Sequence, residues 1–204
     1  MRPDPAARRE YVAAFREIVT RIAATLGGAG RRLPAVRMYV AGGAAMHFYT
    51  GERVSEDVDA TFSSRLVLPE DLEVAYRDAD GAGRVLYFDR QYNDSFTLLH
   101  EEANDDSLPL EIEGIDPAVL EVRLLSPVDL AVSKISRLSD QDRGDIVALA
   151  RRGLVDAKAV RQRAEQALGG FVGDLGRVRN SIAIVVRILE DTARATAPDS
   201  SSGT

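Results

Sequence analysis

Val40-Ala41-Gly42-Gly43-Ala44-Ala45-Met46-His47 and, soon after it, Ser55-Glu56-Asp57-Val58-Asp59-Ala60 are the stretches from which a fold can be read. The first predicts a strand over Val36–Val40, broken by the two glycines and followed by a short helix from Ala44 to Tyr49 that Gly51 closes. Glycines placed there let the backbone approach a ligand closely, and the helix behind them offers free N–H groups to phosphate. The second stretch predicts a strand from Asp57 to Phe62, where polar and apolar residues alternate. Asp57 and Asp59 stand two apart on it, so both carboxylates project from one face. Neighbouring carboxylates repel each other unless a proton or a cation lies between them. An oxygen-only donor pair favours Mg2+ or Mn2+, and a nucleoside triphosphate would complete the coordination.

Upstream, Tyr11, Phe15, Ile18, Ile22 and Leu26 recur at three- and four-residue steps, which predicts an amphipathic helix ended by Gly27-Gly28. Asp4 is its expected N-cap, with Pro5 at the first helical position. Downstream of the aspartates, Pro69–Asp78 is expected to be helical, because Leu72 and Tyr76 are spaced i, i+4. Arg84–Phe88, Phe96–Leu99 and Val119–Leu125 read as strands, while the acidic segment Glu101–Pro117 favours no element. From Ser126 the pattern turns helical, opening on Ser126-Pro127-Val128-Asp129, an arrangement suited to an N-terminal cap. Helices are expected over Pro127–Leu138, Asp140–Arg152, Asp156–Leu168 and Gly173–Arg194. The chain therefore divides into a mixed α/β core over residues 1–125, a helical domain over 126–194 and a disordered Pro/Ser/Gly-rich tail over 195–204.

Composition narrows the chemistry. The chain lacks cysteine, which excludes disulfides and thiolate-bound zinc, and its only histidines are His47 and His100. No stretch approaches the roughly 20 apolar residues of a membrane span, and the N-terminus lacks a secretory pattern, so a cytoplasmic protein with no membrane partner is expected. A net charge of −6 means that any nucleic acid must be held by a local basic patch. Arg31, Arg32, Arg37, Arg151, Arg152, Arg161 and Arg163 are candidates for it, the alternative for each being a solvated helix face.

The order strand, Gly42-Gly43, short helix, then Asp57-Val58-Asp59 resembles the signature of the DNA polymerase β-like nucleotidyltransferase superfamily. A Gly-x4-Gly-Lys-Ser/Thr loop, a Gly-x-Gly-x-x-Gly turn and a Gly-x-Ser-x-Gly elbow are all missing from the sequence. A second constellation extends the resemblance. Lys134 and Arg137 lie on the first helix of the second domain, and Asp142 and Asp145 on the next. Lys134 sits in an apolar run with Leu130, Ile135 and Leu138, so its ammonium is expected on the buried side, facing the cleft of the aspartates. Surface salt bridging is the alternative for Arg137 and Asp142.

This pairing is similar to the abortive-infection toxin nucleotidyltransferases of type IV toxin–antitoxin systems. The resemblance implies an α/β (α+β) fold, a nucleotidyltransferase-like mixed sheet with flanking helices followed by a C-terminal helical bundle. It implies that Gly42, Gly43 and Ser55 line the triphosphate and that Asp57 and Asp59 hold the metal. Lys134, with Arg137 on its face, would contact nucleotide, and Asp145 would act as a base or position the acceptor. The implied reaction moves a nucleotide from a triphosphate to RNA, often tRNA, or to protein, with an antitoxin protein as a further partner. A catalytically inactive binding or regulatory module of the same fold is the alternative. Many superfamily members carry a third carboxylate on a later strand, for which Glu101, Glu111 and Glu113 are the candidates.

Overall fold

The computed structural model describes residues 1–27, 35–95 and 97–196. Arg31, Arg32, Phe96 and residues 197–204 of the expected tail lie outside that description. Two compact units emerge, Met1–Asn93 with Glu102–Ser126, and Asp94–Glu101 with Pro127–Thr204.

In the first unit, α1 (Arg9–Gly27) buries Tyr11, Phe15, Ile18, Val19 and Ile22 on one face. Burying Phe15, Ile18 and Ile22 stabilises the fold by roughly 1.5–3 kcal/mol each. The helix begins later than its sequence suggests. Asp4 Oδ1 accepts the Ala6 N–H at 2.7 Å, so Asp4 shapes a turn ahead of the helix instead of capping it. The unit continues with β1 (Val36–Val40), α2 (Gly42–Thr50), β2 (Asp57–Val58), β3 (Ala60–Phe62), β4 (Glu73–Arg77), β5 (Gly83–Phe88), β6 (Leu108–Pro109) and β7 (Leu120–Leu124).

These strands make two small mixed sheets where a single sheet was expected. One has the order β3-β1-β7-β6, with β1 and β7 parallel and the outer pairs antiparallel. Its buried face carries Val36, Met38, Val40, Leu120, Val122 and Leu124. The other has the order β2-β5-β4, with β2 parallel and β4 antiparallel to β5. The expected strand over Asp57–Phe62 is in fact split at Asp59, where the chain leaves one sheet and enters the other. That break lifts Asp59 out of both ladders.

The expected helix over Pro69–Asp78 is a strand, β4. Val74 and Tyr76 alternate with exposed Glu73, Ala75 and Arg77, and the ladder with β5 from Glu73↔Tyr87 to Arg77↔Gly83 outweighs the single i, i+4 coincidence of Leu72 and Tyr76. The described part of the Phe96–Leu99 candidate, residues 97–99, forms no strand.

The second unit holds α3 (Pro127–Ser133), α4 (Asp140–Arg151), α5 (Ala157–Ala167) and α6 (Leu175–Thr196), with α6 packed on α4 and α5, and α3 on α5. Here α3 stops five residues short of the expected Leu138. The chain tightens into i−3 bonds at Lys134 and Ile135 and turns at Leu138, whose φ is +47°, a conformation costly for a branched side chain. Ser139 then opens α4 with a capping box, accepting the Asp142 N–H while Asp142 accepts the Ser139 N–H. Helix α6 runs to Thr196, two residues past the predicted end. Asp129, the acid of the capping arrangement expected at Ser126, grips Arg163 of α5 bidentately at 2.7 and 3.1 Å. This removes Arg163 from the candidate basic patch, since it is spent on a buried ion pair. No described helix is long and apolar enough to cross a membrane.

Candidate active site

The turn from β1 into α2 explains both glycines. Gly42 has φ +56°, and a Cβ built there would come within 1.9 Å of Asp59 Oδ2 and 2.8 Å of its carboxyl carbon. Any side chain at position 42 would thus take the volume of the Asp59 carboxylate. A Cβ at Gly43 would meet Ser55 Oγ at 2.5 Å, Ser55 Cβ at 2.6 Å and Arg53 Nε at 3.0 Å. Each glycine therefore clears space for particular side chains of the segment leading into Asp59. The Ala41 N–H donates to the Asp59 carbonyl at 2.9 Å, which fastens the two stretches together. Ser55, nearly fully buried, donates its hydroxyl to Asp57 Oδ1 and so orients that carboxylate. Ala41 precedes α2 without any side-chain cap, which leaves first-turn N–H groups for an anion.

The charge at this corner is negative. Tyr87, which faces Asp57 across the β2–β5 ladder, has its phenol pushed up mainly by Asp57, then by burial, Asp89, Glu56 and Asp59. Tyr11 is raised first by burial, then by Tyr76 and Asp57, with Arg53 acting in the opposite direction. Its hydroxyl is buried and has no hydrogen-bond partner among the described residues.

Asp89, directly after β5, is a carboxylate that the sequence reading missed. Its N–H donates to the Val58 carbonyl at 3.1 Å, and its Oδ1 accepts the Gln91 N–H at 2.8 Å. The available signal was an acid set at the end of an apolar strand. The earlier candidates sit elsewhere. Glu111 and Glu113 are exposed and pair with Arg2 and Arg16, while Glu101 is exposed and belongs to the second unit. No group of three or more His, Cys, Asp or Glu able to hold a metal occurs among the described residues. A cation at Asp57 and Asp59 would thus draw its remaining ligands from substrate and water.

In the second unit, Lys134 is 5% exposed, and its ammonium lies 2.7 Å from Asp145 Oδ2 and 3.9 Å from Asp142 Oδ1. The buried lysine thus meets anions of its own unit, which compensates the loss of hydration. Arg137 forks onto Asp142 at 2.8 and 2.7 Å, and Ser139 donates its N–H and hydroxyl to the same carboxylate. Burial alone would raise Asp142, but these hydrogen bonds outweigh it and hold the carboxyl at about 2. Arg137 and Asp142 thus pair as the alternative reading had them, but with the Asp142 carboxylate buried instead of on the surface.

Compared with known families, residues 15–175 match the model described as "Nucleotidyltransferase of unknown function (DUF6036)". No curated protein matches the chain.

Proposed function

We propose a reaction for this chain from one premise: it belongs to the nucleotidyltransferase family whose model matches residues 15–175. The reaction is metal-dependent transfer of a nucleotide from a nucleoside triphosphate to an RNA acceptor, such as a tRNA, or to a protein. Asp57 and Asp59 hold Mg2+ or Mn2+, a donor set of the hard oxygen type these ions take. A bound cation would activate the acceptor hydroxyl and neutralise the departing pyrophosphate. Ser55 keeps Asp57 turned to the ligand, and the first turn of α2 receives phosphate oxygens. Lys134 and Arg137 are assigned to the nucleotide, and Asp145 acts as a base or positions the acceptor. The acceptor oxygen bonds to the α-phosphorus as the bond to pyrophosphate breaks, and the hydroxyl proton passes to a carboxylate.

The observation that carries this reading is the matched clearance at the two glycines, one for the Asp59 carboxylate and one for the serine that holds Asp57. A turn that merely reversed the chain would need no such match. Incubation with each labelled triphosphate, Mg2+ and total RNA or lysate tests the reaction. Wild type should transfer label, and Asp57→Asn, folded by circular dichroism, should not. Near-normal transfer by that variant would sink the metal assignment.

The proposal extends to the toxin of a toxin–antitoxin pair acting in the cytoplasm, with an antitoxin protein as partner. Growth arrest on expression, relieved by the product of an adjacent small reading frame, is the expected outcome, and unimpaired growth would count against it. A second reading, an inactive binding module, gains support from the pairing of Lys134 with Asp145 and Arg137 with Asp142. Triphosphate binding without transfer to any acceptor would favour it.

A further inference from the structure

Between Gly51 and Asp57 the chain carries a single cation, Arg53. Its Nε is buried and lies 3.0 Å from the point a Cβ on Gly43 would occupy, a point also 2.5 Å from Ser55 Oγ. The stem of the arginine and the serine hydroxyl thus flank the same first turn of α2, and that hydroxyl donates to Asp57. The Arg53 backbone is held in place as well. His47 Nδ1 lies 2.5 Å from the Arg53 carbonyl, and His47 Nε2 accepts the Arg8 N–H at 2.9 Å, which makes Nδ1 the donor. The charge environment agrees, because the Tyr11 phenol responds to Asp57, Asp59 and Arg53 together.

We infer that Arg53 is a phosphate-binding residue of this site, balancing Asp57 and Asp59 in the metal-free protein and contacting a phosphate once a divalent cation and a triphosphate are bound. The inference rests on the proposed reaction, because it takes the two aspartates as metal ligands. Two carboxylates brought together need a proton or a cation between them, and an arginine flanking the serine that holds Asp57 can supply the cation until metal arrives. A guanidinium is also the side chain best matched to phosphate, through its planar fork of donors. Released from the carboxylates, it would lie beside the helix turn expected to receive the phosphate oxygens.

The test is calorimetric titration of full-length protein with Mg2+, and with inorganic triphosphate at saturating Mg2+, comparing wild type with Arg53→Gln and Arg53→Lys. Arg53→Gln should bind Mg2+ more tightly, since its competitor is gone, and triphosphate about tenfold more weakly or worse. Arg53→Lys should recover part of the triphosphate affinity. Unchanged affinity for both ligands in a folded Arg53→Gln variant would overturn the assignment. Should that variant not fold, phenylglyoxal labelling of wild type, mapped by mass spectrometry, gives the same answer. Arg53 should label faster with Mg2+ alone and slower with Mg2+ and triphosphate, and a rate indifferent to both would overturn the inference. Wild type that binds neither ligand would instead remove the reaction itself. Wild type that binds both, with an indifferent Arg53→Gln variant, would remove Arg53 alone.

Discussion

In the first unit Asp57, Asp59 and Asp89 all act on the Tyr87 phenol, and in the second Asp129, Asp142 and Asp145 each meet a cation at 2.7 Å. Asp57 is the largest cause of the raised Tyr87 phenol, while the carboxyl of Asp142 is held down to about 2 by Arg137 and Ser139. A network that neutralises itself leaves no excess negative charge to draw a metal cation. A pair of carboxylates kept in place by glycine clearance and a serine hydroxyl, with a displaceable arginine nearby, is suited to an incoming metal cation. The two regions should therefore respond differently to substitution and to acid.

The largest effect is expected in the self-neutralised unit. Arg163→Ala leaves the buried Asp129 carboxylate without its fork partner and should cost about 3–5 kcal/mol. Denaturation followed by far-UV circular dichroism reads this loss. All six tyrosines lie in the first unit, so tyrosine emission reports that unit separately and should move less. A cost below 1 kcal/mol would show that the pair is only incidental.

The glycines sharpen the contrast. Gly42→Ala drives a methyl into the Asp59 carboxylate and should reduce the proposed metal-dependent transfer about 100-fold by displacing a proposed ligand. Gly144→Ala, inside α4 with nothing within 4 Å of the added carbon, should instead stabilise its unit by roughly 0.5–1 kcal/mol. Equal transfer by Gly42→Ala and wild type would break the steric argument.

Acid should loosen the first unit before the second. Burial lowers His47 below its ordinary value of 6.5, and its Nε2 must stay unprotonated to accept the Arg8 N–H. The stability it contributes is complete above 6.5 and is lost as pH falls through the lowered folded value. Asp142 is also depressed, from 3.8 to about 2, so its contribution is complete above 3.8 and fades only as pH falls toward 2. Tyrosine emission should therefore change at higher pH than helical circular dichroism. Coincident transitions would contradict the assignment.

Much of the candidate site was legible in the sequence because its parts are local. Gly42, Gly43, Ser55, Asp57 and Asp59 fall within one strand–helix–strand passage, where turn chemistry and period are informative. Pairing between distant segments was not legible. Glu73–Arg77 looks helical until Gly83–Phe88 comes beside it, and the sheet change at Asp59 leaves no trace in a six-residue alternation. Asp89 escaped notice because its place depends on the parallel β2–β5 pairing. Arg53 escaped because only the built Gly43 turn brings it to Ser55. The early end of α3 was hidden as well, since Ile135 and Leu138 continue the apolar pattern although the backbone has already turned.

The central claim is that the Asp57–Asp59 corner, not the Lys134–Asp145 corner, takes the metal. Calorimetric titration of Mn2+ with triphosphate present compares wild type, Asp59→Asn and Asp145→Asn directly. The account predicts a binding event in wild type that persists in Asp145→Asn and disappears in Asp59→Asn. Retention of that event in folded Asp59→Asn, or its loss only in Asp145→Asn, would contradict the account.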